Sequence, residues 1–188
     1  LGSVGENFSS AEVIKELEGS AAIGHNRYST TGRPELRNIQ PLFADLAFGG
    51  LSIAHNGNLT NAVGLRTKLV QRGCIFRSTS DTEVIIHLMA LSRGEDVTDR
   101  LVDALRQIEG AYSLVAMTQD TLIGVRDPHG VRPLVLGSLD GAYILASETV
   151  ALDIIGAKRE RDIERGEMVV IRGGELTSFK PFHVAAER

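Results

Sequence analysis

The chain has 188 residues, 43% of them hydrophobic and 23% charged, with a formal net charge of -4. That length can bury a sizeable core without a metal or disulfide staple, and the acidic balance removes the electrostatic case for a nucleic acid or an anionic membrane as partner. Cys74 is the only cysteine, which excludes an intramolecular disulfide and Cys/His zinc frameworks, and no apolar run reaches the ~18 residues of a membrane span.

The opening Leu1-Gly-Ser-Val-Gly has neither the basic nor the apolar region of a signal peptide and no initiator methionine. The expectation is a cytoplasmic chain that begins inside a longer protein. Residues 8–17 read as a helix capped by Ser9 or Ser10 and stopped at Gly19. Residues 21–29 read as a strand that turns polar towards Gly32, so chemistry is expected at its C-terminal end. Arg27 stands there, followed by Tyr28, Ser29, Thr30 and Thr31. A guanidinium in that position suits bidentate capture of a carboxylate, and equally suits an arginine snorkelling from a strand edge.

Residues 42–55 read as two short strands joined around Gly49-Gly50. The second has apolar Leu51 and Ile53 and then His55 at a period of two, and ends at Asn56-Gly57. Helical spacing follows through Ala62, Leu65, Leu69 and Val70, with Thr60 as the expected cap and Gly73 as the stop. Asn-Gly between a strand and a helix is a tight turn, or it aims the Asn56 carboxamide and the Gly57 N–H at one oxygen as an oxyanion hole. Ser80 and Glu83 stand in capping-box register before a helix with Val84, Ile85, Leu88 and Met89 on its apolar face. Asp81, in the first turn, either complements the helix dipole or receives an ammonium group. A third helix is expected over 97–108, with Val97, Leu101, Ala104, Leu105 and Ile108 in one stripe.

From Ala111 onward the pattern changes to short strands over 111–118, 122–126, 134–137, 142–146, 168–171 and 175–178. A short helix over 149–155, capped by Ser147, and a charged loop over 158–167 interrupt them. Many hairpin-linked strands with helices grouped between them predict an α+β fold, a layered sandwich of antiparallel sheets, in a single domain. His25, His55 and His129 match no ligand spacing, so no metal is expected. The run from Arg126 to Pro133 reads as a structural turn, and Cys74 as a small buried hydrophobe.

Five stretches are similar to one family: Gly24-His-Asn-Arg-Tyr-Ser-Thr-Thr-Gly32, Ala54-His-Asn-Gly-Asn-Leu-Thr-Asn-Ala62, Ser78-Thr-Ser-Asp-Thr-Glu-Val-Ile85, Leu122-Ile-Gly-Val-Arg-Asp-Pro-His-Gly-Val-Arg-Pro-Leu134 and Ala146-Ser-Glu-Thr-Val-Ala-Leu-Asp153. They resemble the glutaminase domain of the amidophosphoribosyltransferases, class II glutamine amidotransferases of the N-terminal-nucleophile hydrolase fold. The first three stretches fit class II enzymes generally, and the last two point to the purine enzymes. The resemblance implies an αββα sandwich in which Arg27 holds the glutamine carboxylate and Asp81 its amine. It also implies that Thr30 and Thr31 line the same pocket, and that Asn56 and Gly57 form the oxyanion hole.

The family's nucleophile is a cysteine at the mature N-terminus, whereas residue 1 here is leucine. The expectation is therefore a partial glutaminase domain over residues 1–188, with the first strands and the nucleophile missing and no activity by itself. The family's phosphoribosyltransferase domain has no counterpart after Arg172. The implied reaction is glutamine hydrolysis, with the ammonia passed to phosphoribosyl pyrophosphate to form phosphoribosylamine. The resemblance implies no cofactor in this chain, Mg with phosphoribosyl pyrophosphate in the missing domain, and an iron-sulfur cluster only in some members, on ligands outside this chain. Its implied partners are glutamine, the phosphoribosyltransferase domain of the same polypeptide and further copies in a homo-oligomer. Two alternatives stay open: the glutaminase domain of another class II amidotransferase, and a non-catalytic glutamine-binding module.

Overall fold

A computed structural model describes residues 4–26 and 35–182. Two short helices, α1 (Val4–Asn7) and α2 (Ala11–Glu16), come first, and the Ser10 hydroxyl caps α2 by accepting from the Val13 amide. Residues 21–26 form no regular element, in contrast to the strand expected there, and the rest of that expected strand, with Arg27, Thr30 and Thr31, lies outside the described residues.

The main sheet is antiparallel throughout and has six strands in the order β1 (Leu42–Leu46), β2 (Gly49–Leu59), β3 (Gly110–Met117), β4 (Thr121–Arg126), β8 (Met168–Arg172) and β9 (Glu175–Phe179). Helices α3 (Ala62–Gln71), α4 (Thr82–Leu91) and α5 (Val97–Leu105) fall between β2 and β3 in sequence. A second antiparallel sheet has β5 (Val135–Leu139) between β6 (Ala142–Ala146) and β7 (Lys158–Asp162), and α6 (Thr149–Ile154) packs on it.

Strand alternation sorts the side chains into two cores. Leu51, Ile53, Leu114, Ala116, Met168 and Val170 join Val84, Ile85, Leu88, Met89, Leu101 and Leu105 of the helices in the larger core. Val115 and Val169, out of phase with them, join Leu136 and Leu145 of the second sheet in the smaller one. Gly124 of β4 lets the sheets approach: a Cβ there would stand 2.7 Å from Leu145 Cδ1. Gly137 of β5 admits Leu152 of α6 in the same way, at 2.8 Å. The layers are therefore helix, sheet, sheet, helix, as expected.

Three local expectations are corrected. β2 does not end at Asn56-Gly57 but continues to Leu59, with Asn56 opposite Ser113 and Gly57 opposite Tyr112 in β3. The predicted capping box does not form, because the Glu83 carboxylate accepts from the Arg77 amide, the Ser78 amide and the Ser78 hydroxyl. The charged stretch expected as a loop contains β7, a polar edge strand whose side chains pair as Lys158 with Glu160 and Arg159 with Asp162.

Candidate active site

Among the described residues, the C-terminal half of β2 has an open edge. β1 pairs only with residues 49–53 of β2, whereas β3 follows it from Ser52 to Leu59. On the edge that β1 leaves open, two backbone donors are met by side chains. The His55 amide donates to Gln40 Oε1 at 2.7 Å, and the Leu59 amide donates to Asp81 Oδ2 at 2.9 Å. A strand turns alternate amides to the same side, so the Gly57 N–H, midway between these two, points to the same open edge.

Glycine at position 57 is required by its surroundings. Its φ of 153° is one that L side chains rarely adopt, and a Cβ would stand 2.0 Å from the Ala111 carbonyl oxygen and 2.7 Å from His55 Nε2. Asn56 alternates to the other face from His55, and it is exposed. Its carboxamide makes no hydrogen bond to another described residue.

Asp81 is the N-cap residue of α4, yet its side chain makes no capping bond because it is turned towards β2. Burial works to raise the Asp81 pKa, but the His55 ring and the Leu59 amide outweigh it and hold the carboxyl below its ordinary range. An ionised, partly exposed carboxylate thus stands two residues along the strand from the Gly57 amide. The loop that carries it is fixed from several sides. The Arg66 guanidinium donates to the Ser78 and Ser80 carbonyls and lies over the Phe76 ring. Asn38 makes a reciprocal pair with Thr79, accepting from its amide and donating to its hydroxyl.

Of the predicted residues, the structure brings Asp81 and Gly57 to one strand edge, with Asn56 adjoining, whereas Arg27, Thr30 and Thr31 lie outside the described residues. Gln40 and His55 were not singled out for this site from sequence, and no local pattern announces a glutamine side chain that caps a strand amide 15 positions away. A groove of about 650 Å³ runs nearby between β1 and α4 and reaches Ser78 and Glu83, but Asn56, Gly57 and Asp81 do not line it. Among the described residues no group of three His, Cys, Asp or Glu side chains is placed to hold a metal ion, and no helix is long and apolar enough to cross a membrane.

Residues 25–153 match the family described as glutamine amidotransferase domain. The chain is 55% identical over 170 residues to the amidophosphoribosyltransferase of Rhizobium etli, covering 90% of this chain and 34% of that protein. It is 49% identical to the chloroplastic amidophosphoribosyltransferase 2 of Arabidopsis thaliana, covering 91% of this chain and 30% of that one. The chain thus spans about a third of the length of these curated relatives. Among solved structures, one described as the allosteric regulatory enzyme of purine biosynthesis superposes with a TM-score of 0.91 at 40% identity, covering 96% of this chain and 39% of its own. The glutamine phosphoribosylpyrophosphate amidotransferase of B. subtilis, complexed with ADP and GMP, gives a TM-score of 0.79 at 40% identity, covering 84% of this chain and 34% of its own. With an antiparallel four-layer fold and a family match that runs from His25 through the Asn56-Gly57 edge and Asp81 to Asp153, the chain belongs to the glutamine amidotransferase domain family.

Proposed function

We propose that this chain is the glutamine-hydrolysing domain of an amidophosphoribosyltransferase, in which ammonia released from glutamine displaces pyrophosphate from phosphoribosyl pyrophosphate to give phosphoribosylamine for purine synthesis. The observation that carries the reading is the open edge of β2, where the Gly57 N–H is directed outward beside an ionised Asp81. A glutamine along that edge presents its amine to Asp81 and its side-chain amide to Gly57. Attack on the amide carbon moves negative charge to its oxygen, which the Gly57 N–H and the Asn56 carboxamide stabilise, and collapse of the adduct expels ammonia. Arg27 holds the α-carboxylate in this reading, with Thr30 and Thr31 beside it.

The attacking thiolate belongs to an N-terminal cysteine of the full protein, as the family implies. Cys74 is unsuited to that part, since it packs against the larger core and has no α-amine of its own to act as base. The phosphoribosyltransferase portion, with the Mg that accompanies the diphosphate, any iron-sulfur cluster and the contacts of a homo-oligomer belong to the rest of such a protein. A reducing compartment such as the cytoplasm suits a chain with one free thiol.

The test is glutamine-dependent ammonia release by the full-length protein that carries this chain. Asn56→Ala should lower kcat by about a hundredfold, as other oxyanion-hole deletions do, while Cys74→Ser leaves the rate unchanged. Failure of the unaltered protein to release ammonia from glutamine, or loss of activity on Cys74→Ser, would overturn the reading.

A further inference from the structure

His55 is 4% exposed, and its two ring nitrogens face different parts of the site. Nδ1 lies 3.3 Å from the Thr82 hydroxyl and 3.7 Å from Asp81 Oδ1, at the N-terminus of α4. Nε2 is fully buried, has no hydrogen-bond partner among the described residues, and stands 2.7 Å from the point where a Cβ on Gly57 would sit. A buried polar atom left without a partner costs about 1–3 kcal/mol, which a leucine of similar bulk would avoid. The ring is therefore poorly explained as a filler of the core. Its amide is fixed as well, through Gln40 Oε1, so the ring cannot slide along the strand without breaking that bond.

We infer that His55 is a positioning residue that sets the span between the amine-binding carboxylate of Asp81 and the amide-binding N–H of Gly57, and so selects glutamine over its one-carbon-shorter homologue asparagine. This rests on the proposed function, which assigns the two ends of the substrate to those two groups. The selection is steric and geometric. The imidazole is a rigid plane, with Nδ1 3.7 Å from Asp81 Oδ1 and Nε2 2.7 Å from the point where a Gly57 Cβ would sit, so it packs against both the carboxylate and the Gly57 backbone and fixes how each is set along the strand. Asparagine offers the same carboxylate, amine and amide, but with one methylene fewer it reaches only one end at a time. A site that leaves a polar group of its own unpaired against the wrong substrate discriminates more strongly than the missing methylene alone would.

The experiment measures kcat and KM for ammonia release from glutamine and from asparagine in the full-length protein and in His55→Ala, His55→Asn and His55→Gln. The side-chain amide introduced by His55→Asn stands where Nδ1 does and that introduced by His55→Gln reaches towards Nε2, so each of the two conservative variants keeps one edge of the ring. The ratio of kcat/KM for the two substrates should fall at least tenfold in His55→Ala, mainly through a higher KM for glutamine, and by less in the other two. A ring that only supports the fold would lower both substrates in proportion, so an unchanged ratio in the variants that remain folded by circular dichroism overturns the inference. So does loss of the fold in all three. An unaltered protein that is inert towards glutamine would instead sink the proposed function, a result distinguishable from activity with an unchanged ratio.

Discussion

At the scale of single residues, Gly57 shows how one missing Cβ joins fold and function. The Asn56-Gly57 pair has the composition of a hairpin turn, but the pairing with β3 continues through it, and the local preference yields to eight residues of ladder from Ser52 to Leu59. What glycine supplies here is room for the Ala111 carbonyl and the His55 ring, with the backbone amide directed to the open edge. Gly57→Ala should destabilise the domain by about 3 kcal/mol, since the new methyl meets a backbone oxygen that cannot move without the strand. Gly64, in the first turn of α3 with nothing within 4 Å of its Cβ position, is the control: Gly64→Ala should gain about 0.5 kcal/mol from helix propensity, the lower end for a position near a helix terminus. Urea unfolding midpoints of the two variants check both, and similar shifts of the same sign would contradict the packing at Gly57.

At the scale of elements, the helices and apolar strands were legible because their side chains keep the period of the surface they cover. Val97, Leu101, Ala104 and Leu105 of α5 are all buried, as the stripe predicts. β7 was not legible, since Lys158, Arg159 and Glu160 are exposed on an edge strand and leave no apolar alternation to detect. The start of α4 was half legible. The acidic residue three positions after Ser80 is a true signal of a helix start, but Glu83 turns back to residues 77–78 and holds the loop that presents Asp81. Of the site itself, the residues proposed to meet a ligand were visible in short motifs, whereas Gln40 and His55 are placed through tertiary contacts that no spacing reveals.

The Glu83 network yields a pH prediction. Burial raises its pKa, but hydrogen bonds from the Arg77 amide and from the Ser78 hydroxyl and amide outweigh it, so the folded value lies below the ordinary 4.5. A carboxyl with a depressed folded pKa contributes stability that is fully present above its unfolded value and lost as pH falls through the folded one. In Glu83→Gln, either orientation of the amide turns an NH₂ towards a backbone N–H, since both carboxylate oxygens accept from one. The variant should lose about 2 kcal/mol at pH 7 and show a shallower fall in stability below about pH 4.5. Chemical denaturation at a series of pH values measures both, and an unaltered slope would remove Glu83 from the acid response.

At the scale of the whole molecule, the site depends on a main sheet held between two cores, and the sheets come into contact where Leu145 of β6 enters the space over Gly124 of β4. Close-packed interiors respond to added and removed volume together, so the two positions should be coupled. Gly124→Val puts a Cβ 2.7 Å from Leu145 Cδ1 and 3.1 Å from Val169 Cγ2 with two methyls beyond it, and should cost about 1–3 kcal/mol as the sheets are pushed apart. Leu145→Ala alone leaves a cavity and should cost about 2 kcal/mol, at the lower end for a side chain only partly buried. In the double variant the new valine occupies space that the leucine has vacated, so the combined loss should fall short of the sum by about 1 kcal/mol or more. Equilibrium unfolding of the four proteins in the cycle supplies that coupling energy. Simple additivity would mean that the two sheets do not meet at this point, and would remove the packing that holds β4 and, through β3, the edge of β2 in place.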